Sequence, residues 1–166
     1  MPGIVGKTST LLAEGMADSA MDLDEVDQRI LVELRRDGRA AVSAVAQSVH
    51  ISRASAYSRI NRLVETGVIT GFGARIDPVL AGQHSSAYVT LTIEQVSWQA
   101  VKDRLALIPE VVHVALVGGD SDVMLLVRAR DNGDLRRVVL EELQAIPAVR
   151  ATKTALLFED FETVPA

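Results

Sequence analysis

The segment from Ser52 to Val64 carries the side chains of this sequence that are best suited to bind nucleic acid. It contains Arg53, Arg59 and Arg62 but no acidic residue. Arginine pairs with guanine edges or phosphates, asparagine pairs with adenine, and hydroxyl groups bind phosphates. The predicted contacts to double-stranded DNA are therefore Ser52, Arg53, Ser55, Tyr57, Ser58, Arg59, Asn61 and Arg62.

The apolar residues of this segment recur at the spacing of an amphipathic helix. Its predicted buried side consists of Ala56, Ile60, Leu63 and Val64. Arg59 and Arg62 are three positions apart, so they share a face, which we place roughly opposite this stripe. Ser52 is a good N-cap, and the unpaired amides of the first turn offer a phosphate site. A solvated surface helix also fits this pattern when the segment is taken alone.

Two further helical patterns precede this segment and favour DNA binding. Apolar residues repeat from Leu23 to Leu34 behind a cap at Asp22 or Asp24, and Gly38 is placed to end that helix. A short second helix is predicted over 42–49, and Gly67 gives the third helix a left-handed stop. Two short helices joined by a tight turn behind a longer first helix are typical of a helix-turn-helix.

A second group of candidate residues lies in a glycine-containing turn between two predicted strands. Gly118 and Gly119 allow positive φ, so backbone amides can converge on a carboxylate, while Asp120 and Asp122 can accept an ammonium group. A zwitterionic amino acid needs both kinds of partner. An ordinary hairpin turn has the same composition, so the residues alone leave both interpretations open.

The second half of the chain alternates strands and helices. Strands are predicted over 87–93, 111–117, 123–127 and 149–158, and helices over 97–108 and 135–146, with Asp131 or Asn132 near the second cap. The order βαββαβ is typical of a ferredoxin-like sandwich. The predicted class is α+β: a flexible leader (1–20), a winged-helix-like helix-turn-helix domain (21–70), a linker (71–83) and the ferredoxin-like domain (84–166).

Composition argues against several other functions. The sequence has no cysteine, and its histidines (His50, His84 and His113) lack ligand spacing, so we expect neither a metal site nor a cofactor. No catalytic motif is visible, so we expect no enzyme. No apolar run is long enough to span a membrane. The absence of cysteine fits a reducing cytosol, so we expect a cytoplasmic protein. The net charge of −5 comes mainly from residues 75–166, which carry 9 basic and 13 acidic groups, whereas residues 1–74 carry 8 and 9.

The sequence resembles the Lrp/AsnC, or feast-or-famine, family of regulators from about residue 22 to residue 161. Residues 23–31 match the opening pattern "LDxxDxxIL", and residues 37–39 (Asp-Gly-Arg) continue the match. Further matches are Ser52, Arg59, Ile60, Arg62, Leu63, Gly67, Val68, Ile69, Gly71, Asp77, Pro78 and Gly82, then Pro109, Val111, Val117, Gly119 and Asp122. The order and spacing of these residues together are specific.

This resemblance implies that the third helix is the recognition helix and that Arg59 and Arg62 contact DNA. It also implies a C-terminal domain that dimerises, assembles four dimers into an octamer and binds an amino acid between dimers. The chain departs from the family at Arg53, where proline is common, and at Ser58, the first of two frequent adjacent arginines. In the turn, Gly118 replaces threonine or serine, and Ser121 and Val123 replace aromatic residues.

Together these observations predict a sequence-specific DNA-binding transcription regulator that responds to an amino acid or a related small molecule. A ligand-independent architectural protein that wraps DNA is the alternative. We also expect the C-terminal half to self-associate, because its strands and helices carry more apolar surface than a four-stranded sheet with one covered face can bury.

Overall fold

A computed structural model describes residues 22–94 and 98–161. The chain divides between Ala74 and Arg75 into two compact units. No helix of the described residues is long and apolar enough to cross a membrane. The predicted leader lies outside the described residues.

The first unit contains three helices in its described part: α1 (Glu25–Arg36), α2 (Val42–Ser48) and α3 (Arg53–Glu65). Their apolar sides meet in a core centred on Ile30, Val45, Val49 and Leu63. This is the predicted helix-turn-helix. The segment 66–84, which the structure describes completely, forms no strand and includes a turn over 78–82, so no wing hairpin is present in it.

Local side chains cap the N-termini of α1 and α3. Asp24 caps α1, accepting a hydrogen bond from the Asp27 amide at 2.8 Å, and Ser52 caps α3 in the same way from the Ser55 amide at 3.1 Å. Gly67 adopts the predicted left-handed conformation after α3, with φ 75°. Gly38, in contrast, follows the C-cap Asp37 of α1 without adopting a positive φ.

The turn between α2 and α3 is a Schellman motif. The Ile51 amide donates to the Ala46 carbonyl at 2.9 Å, and the His50 amide donates to the Gln47 carbonyl at 3.3 Å. His50 itself is left-handed, with φ 58°, at a position that glycine would occupy without steric cost. This turn sets the direction in which α3 leaves α2.

The second unit has the predicted ferredoxin-like fold. Its elements are β1 (Ser85–Ile93), α4 (Trp98–Leu105), β2 (Val111–Leu116), β3 (Val123–Ala129), α5 (Asn132–Arg137) and β4 (Val149–Leu157). The strands form an antiparallel sheet in the order β2-β3-β1-β4. Alternate residues of β1 and β3, such as Val89 and Leu125, are fully buried in the core shared with the helices.

The second helical region of this unit departs from the prediction. It begins three residues earlier than expected, where Asp131 accepts a hydrogen bond from the Asp134 amide at 2.8 Å. From Val138 to Leu143 it continues as a π-helix, with the Gln144 amide reaching back to the carbonyl of Val139. A wider turn of this kind is rare and occurs often near functional sites.

Candidate nucleic-acid interface and regulatory turn

The outward side of α3 carries most of the predicted DNA contacts. Arg53 and Ser58 are exposed, and Tyr57 exposes 60% of its surface. Ser55 and Asn61 are partly buried. Arg53 forms no ion pair with any residue in the described part of the chain. This side of α3 is therefore polar, contains one unpaired cation and is accessible to a partner molecule.

Arg59 does not lie opposite the buried stripe, so that prediction is wrong. Its guanidinium group turns toward α1, where Nη1 donates to Asp24 Oδ2 at 2.7 Å and to Asp27 Oδ1 at 2.8 Å. Its side chain is only 28% exposed. The cause is the acidic first turn of α1, which offers two carboxylates to the flank of α3.

Arg62 joins the same network from the next turn of α3. Its Nη2 donates to Asp27 Oδ2 at 2.5 Å, while 46% of the side chain stays exposed. Both carboxylate oxygens of Asp27 thus bind a guanidinium group. Arg62 keeps part of its surface toward solvent, as predicted, but its charge already has a partner inside the protein.

Asp24 and Arg59 each shift the pKa of the other toward its charged form. The pKa of Asp24 is lowered by the hydrogen bond from the Asp27 amide and then by that from Arg59. The pKa of Arg59 is raised by its hydrogen bonds to Asp24 and Asp27. These groups therefore remain charged at neutral pH and hold each other in place.

The hydroxyl of Ser52 is also engaged inside the protein. It accepts the hydrogen bond from the Ser55 amide that caps α3. The structure thus confirms Ser52 as the N-cap. Its role toward phosphate, like the other DNA contacts, stays a prediction.

The glycine turn of the second unit is built differently from its prediction. Gly119 has positive φ, 117°, but Gly118 does not. The carboxylate of Asp122 accepts a hydrogen bond from the Ile93 amide at 2.8 Å, and its own amide donates to the Leu91 carbonyl at 2.9 Å. Asp122 therefore ties the turn to β1, whereas Asp120 is exposed.

The second unit contains a cavity that the sequence did not predict. Its volume is about 480 Å³, and it lies between the helical segment after β3 and strand β4. The lining is mainly apolar and consists of Asn132, Leu135, Arg136, Val139, Leu140, Thr154 and Leu156. Leu140 and Leu156 of this lining are 45% and 51% exposed, and no local sequence pattern joins the two segments that carry them.

The sheet of this unit also exposes apolar side chains on the face that the helices leave uncovered. Tyr88 and Met124 flank this face on β1 and β3, with 38% and 37% of their surfaces exposed. Tyr88 is paired in register with Leu126 of β3 and with Ala155 of β4. A contiguous apolar face of this kind is typical of an interaction surface.

No cluster of three or more histidine, aspartate or glutamate side chains could hold a metal ion within residues 22–94 and 98–161. In the first unit, Asp24 and Asp27 pair instead with Arg59 and Arg62.

The two units match the two parts of one protein family. Residues 23–64 match the AsnC-type helix-turn-helix domain, and residues 86–163 match the Lrp/AsnC ligand binding domain. Both matches follow the division of the chain into its two units.

The chain is also similar to whole proteins. It is 38% identical to the HTH-type transcriptional regulator AldR of Mycolicibacterium smegmatis. The 143 aligned residues cover 84% of this chain and 84% of that protein. It is 32% identical to the proline dehydrogenase transcriptional activator of Rhodobacter capsulatus, over 82% of this chain and 91% of that one. The crystal structure of the Mycobacterium tuberculosis leucine response regulatory protein superposes with a TM-score of 0.75 at 30% identity, covering 87% of this chain and 98% of the other.

Proposed function

The chain belongs to the Lrp/AsnC family of DNA-binding transcription regulators, and we propose a separate role for each of its two units. The outward side of α3 contacts double-stranded DNA, and the second unit joins subunits and binds an amino acid. The proposed place of action is the cytoplasm, where bacterial and archaeal DNA lies.

One observation carries the DNA proposal: the outward side of α3 is polar, exposed and free of acid as far as Val64. Arg53 is the cation of this side without an acidic partner in the described part of the chain. Ser55, Tyr57, Ser58 and Asn61 add hydrogen-bonding groups that suit base edges and phosphates. Ser52 contributes the start of the helix, and Arg62, whose guanidinium is bound to Asp27, borders this surface with 46% of its side chain exposed. A two-fold dimer would present two such helices to a near-palindromic site.

Selection from a random duplex library tests this proposal. The full-length chain should enrich a near-palindromic site. Arg53→Ala combined with Asn61→Ala should then reduce affinity for that site by about 10-fold or more. Arg36→Ala is the matched control, because it removes an exposed arginine from α1 and leaves α3 intact. Enrichment of no sequence, or equal binding by all variants, would contradict the proposed interface.

The uncovered sheet face supports self-association. We propose that Tyr88 and Met124 are buried between two copies of the second unit and that four such dimers form an octamer. In sedimentation experiments on the full chain, Met124→Glu should yield monomers because it places a charge in the apolar interface. A Met124→Glu protein that sediments like the parent would rule out this face as the dimer contact.

The proposed effector site is the turn with Gly118, Gly119, Asp120 and Asp122. Asp120 is its exposed acid and would pair with the ammonium group of an amino acid. The names of two relatives, which refer to proline dehydrogenase and to leucine response, suggest this ligand class. A ligand that completes its pocket at a subunit interface stabilises the assembled state, so binding and assembly would be coupled.

Calorimetry with the twenty amino acids tests the effector proposal. At least one should bind, and Asp120→Asn should abolish its heat of binding. Leu140→Glu, in the wall of the cavity, is the comparison variant. Loss of binding in Leu140→Glu but not in Asp120→Asn would move the effector site to the cavity. If no amino acid binds, the ligand-independent architectural function is favoured.

A further inference from the structure

Asp27 is the only charged residue with a buried side chain in the described part of the chain. It is the third residue of α1, in the first turn, and its exposed fraction is 0%. Burial of a carboxylate is costly unless the charge is paired and its oxygens accept hydrogen bonds. The position of Asp27 therefore needs a structural reason.

Both oxygens of Asp27 are used by α3. Oδ1 binds Arg59 at 2.8 Å and Oδ2 binds Arg62 at 2.5 Å, across 32 and 35 residues of sequence. Asp27 Oδ2 also accepts the Asp24 amide at 3.3 Å, so the same carboxylate completes the capping box of α1. One buried group thus fixes the start of α1 and two successive turns of α3.

We propose that Asp27 is the positioning residue of the recognition helix, and that Arg59 and Arg62 serve mainly as its partners. This inference rests on the proposed DNA interface of α3. Arg59 and Arg62 are three residues apart on α3, so two ion pairs oppose rotation of the helix about its axis. The apolar contacts of Ala56 and Leu63 are less directional and fix this rotation less tightly.

The amount of rotation that matters is small. A roll of about 20° moves a side-chain tip about 6 Å from the helix axis by about 2 Å, which breaks a hydrogen bond to a base edge. Phosphate contacts tolerate such a shift better, because they depend on charge more than on direction. Loss of the Asp27 carboxylate should therefore lower the preference for the specific site more than it lowers binding to DNA in general.

The salt dependence of binding distinguishes a positioning residue from a contact. Each phosphate contact that is lost reduces the slope of log K against log salt by about one. If Arg53 contacts a phosphate, Arg53→Gln should lower the slope by about two per dimer. Arg62→Gln should weaken specific binding with the slope unchanged, because on this inference its guanidinium binds Asp27 and not a phosphate.

The experiment measures affinity for the selected site and for a scrambled duplex at several salt concentrations. Asp27→Asn keeps the size of the side chain but removes its charge, and we expect the ratio of the two affinities to fall at least about 10-fold with a slope that does not decrease. Glu25→Gln is the matched control, since it removes an exposed acid from the same turn of α1 and should leave the ratio unchanged.

Each outcome separates the positioning role from the proposed function. If the parent prefers no sequence, the proposed DNA interface fails, whatever the variants do. If the parent is specific and Asp27→Asn, with the parent's circular dichroism spectrum, keeps the same affinity ratio, Asp27 is not a positioning residue. If Asp27→Asn does not fold, Arg62→Gln decides: an unchanged slope with weaker specific binding supports the inference, and a slope reduced by about two per dimer overturns it.

Discussion

Helix α3 and the glycine turn are two regions whose charged residues suggest ligand binding, and the structure uses these residues in two different ways. In α3, Arg59 and Arg62 bind two acids of α1 by long-range ion pairs. In the turn, the carboxylate of Asp122 binds a backbone amide of β1. Within the described residues, the charged group that is both exposed and outside any ion pair is Arg53 in the first region and Asp120 in the second. An exposed charged residue without a partner in the protein is a better candidate for a ligand contact than a charged residue that matches a sequence motif.

The two regions should also differ in how much stability their charged residues provide. Arg59→Ala leaves the buried carboxylate of Asp27 with one partner fewer, which should destabilise the first unit by about 2 kcal/mol. Hydrogen exchange of the α1 and α3 peptides measures this loss. Arg53→Ala is the control and should change protection by less than about 0.5 kcal/mol. Equal protection in both variants would show that the ion pairs of Arg59 do not stabilise the first unit more than the exposed Arg53 does.

In the turn, the backbone should matter more than any side chain. Gly119→Ala forces an L-residue to φ 117° and should destabilise the second unit by about 1–3 kcal/mol, although no atom lies within 4 Å of the added methyl group. Gly118→Ala has equal space and no positive φ, so it should be nearly neutral. Unfolding followed by the fluorescence of Trp98, the single tryptophan of the sequence, reports on this unit. Similar midpoints for both variants would show that the turn is not strained.

The hydrogen bond of Asp122 gives a smaller effect of the same kind. Asp122→Ala removes the acceptor of the Ile93 amide and should cost about 1–2 kcal/mol, while Asp122→Asn keeps an acceptor oxygen and should cost less. The same tryptophan signal measures both. An alanine variant as stable as the parent would indicate that the carboxylate is available to an effector instead.

The smallest effect concerns pH and the first unit. Because the pKa of Asp24 is lowered in the folded protein, its contribution to stability is present above its usual pKa and is lost as the pH falls through the lowered value. Protection of α1 in hydrogen exchange should therefore decline as the pH falls below the usual aspartate pKa of 3.8. Asp24→Asn should make this decline shallower. A decline of unchanged steepness in the variant would assign the acid sensitivity to other groups.

The parts of the structure that sequence predicts well are those fixed by neighbours in the chain. The N-cap at Ser52 and the left-handed stop at Gly67 depend on residues a few positions away. The apolar periods also predicted the order βαββαβ. The ion pair of Arg59 with Asp27 spans 32 residues, and the bond of Asp122 to Ile93 spans 29, so no local pattern contains them. The cavity was missed for the same reason, because its walls come from two separate segments.

The direction in which α3 faces DNA can be measured directly by photocrosslinking. A benzoylphenylalanine in place of Tyr57, which is 60% exposed on the outward side of α3, should crosslink to the selected DNA site. The same group in place of Val32, exposed on α1, should not. Crosslinks from Val32, with none from Tyr57 in a complex of normal affinity, would contradict the account that the outward side of α3 reads the DNA.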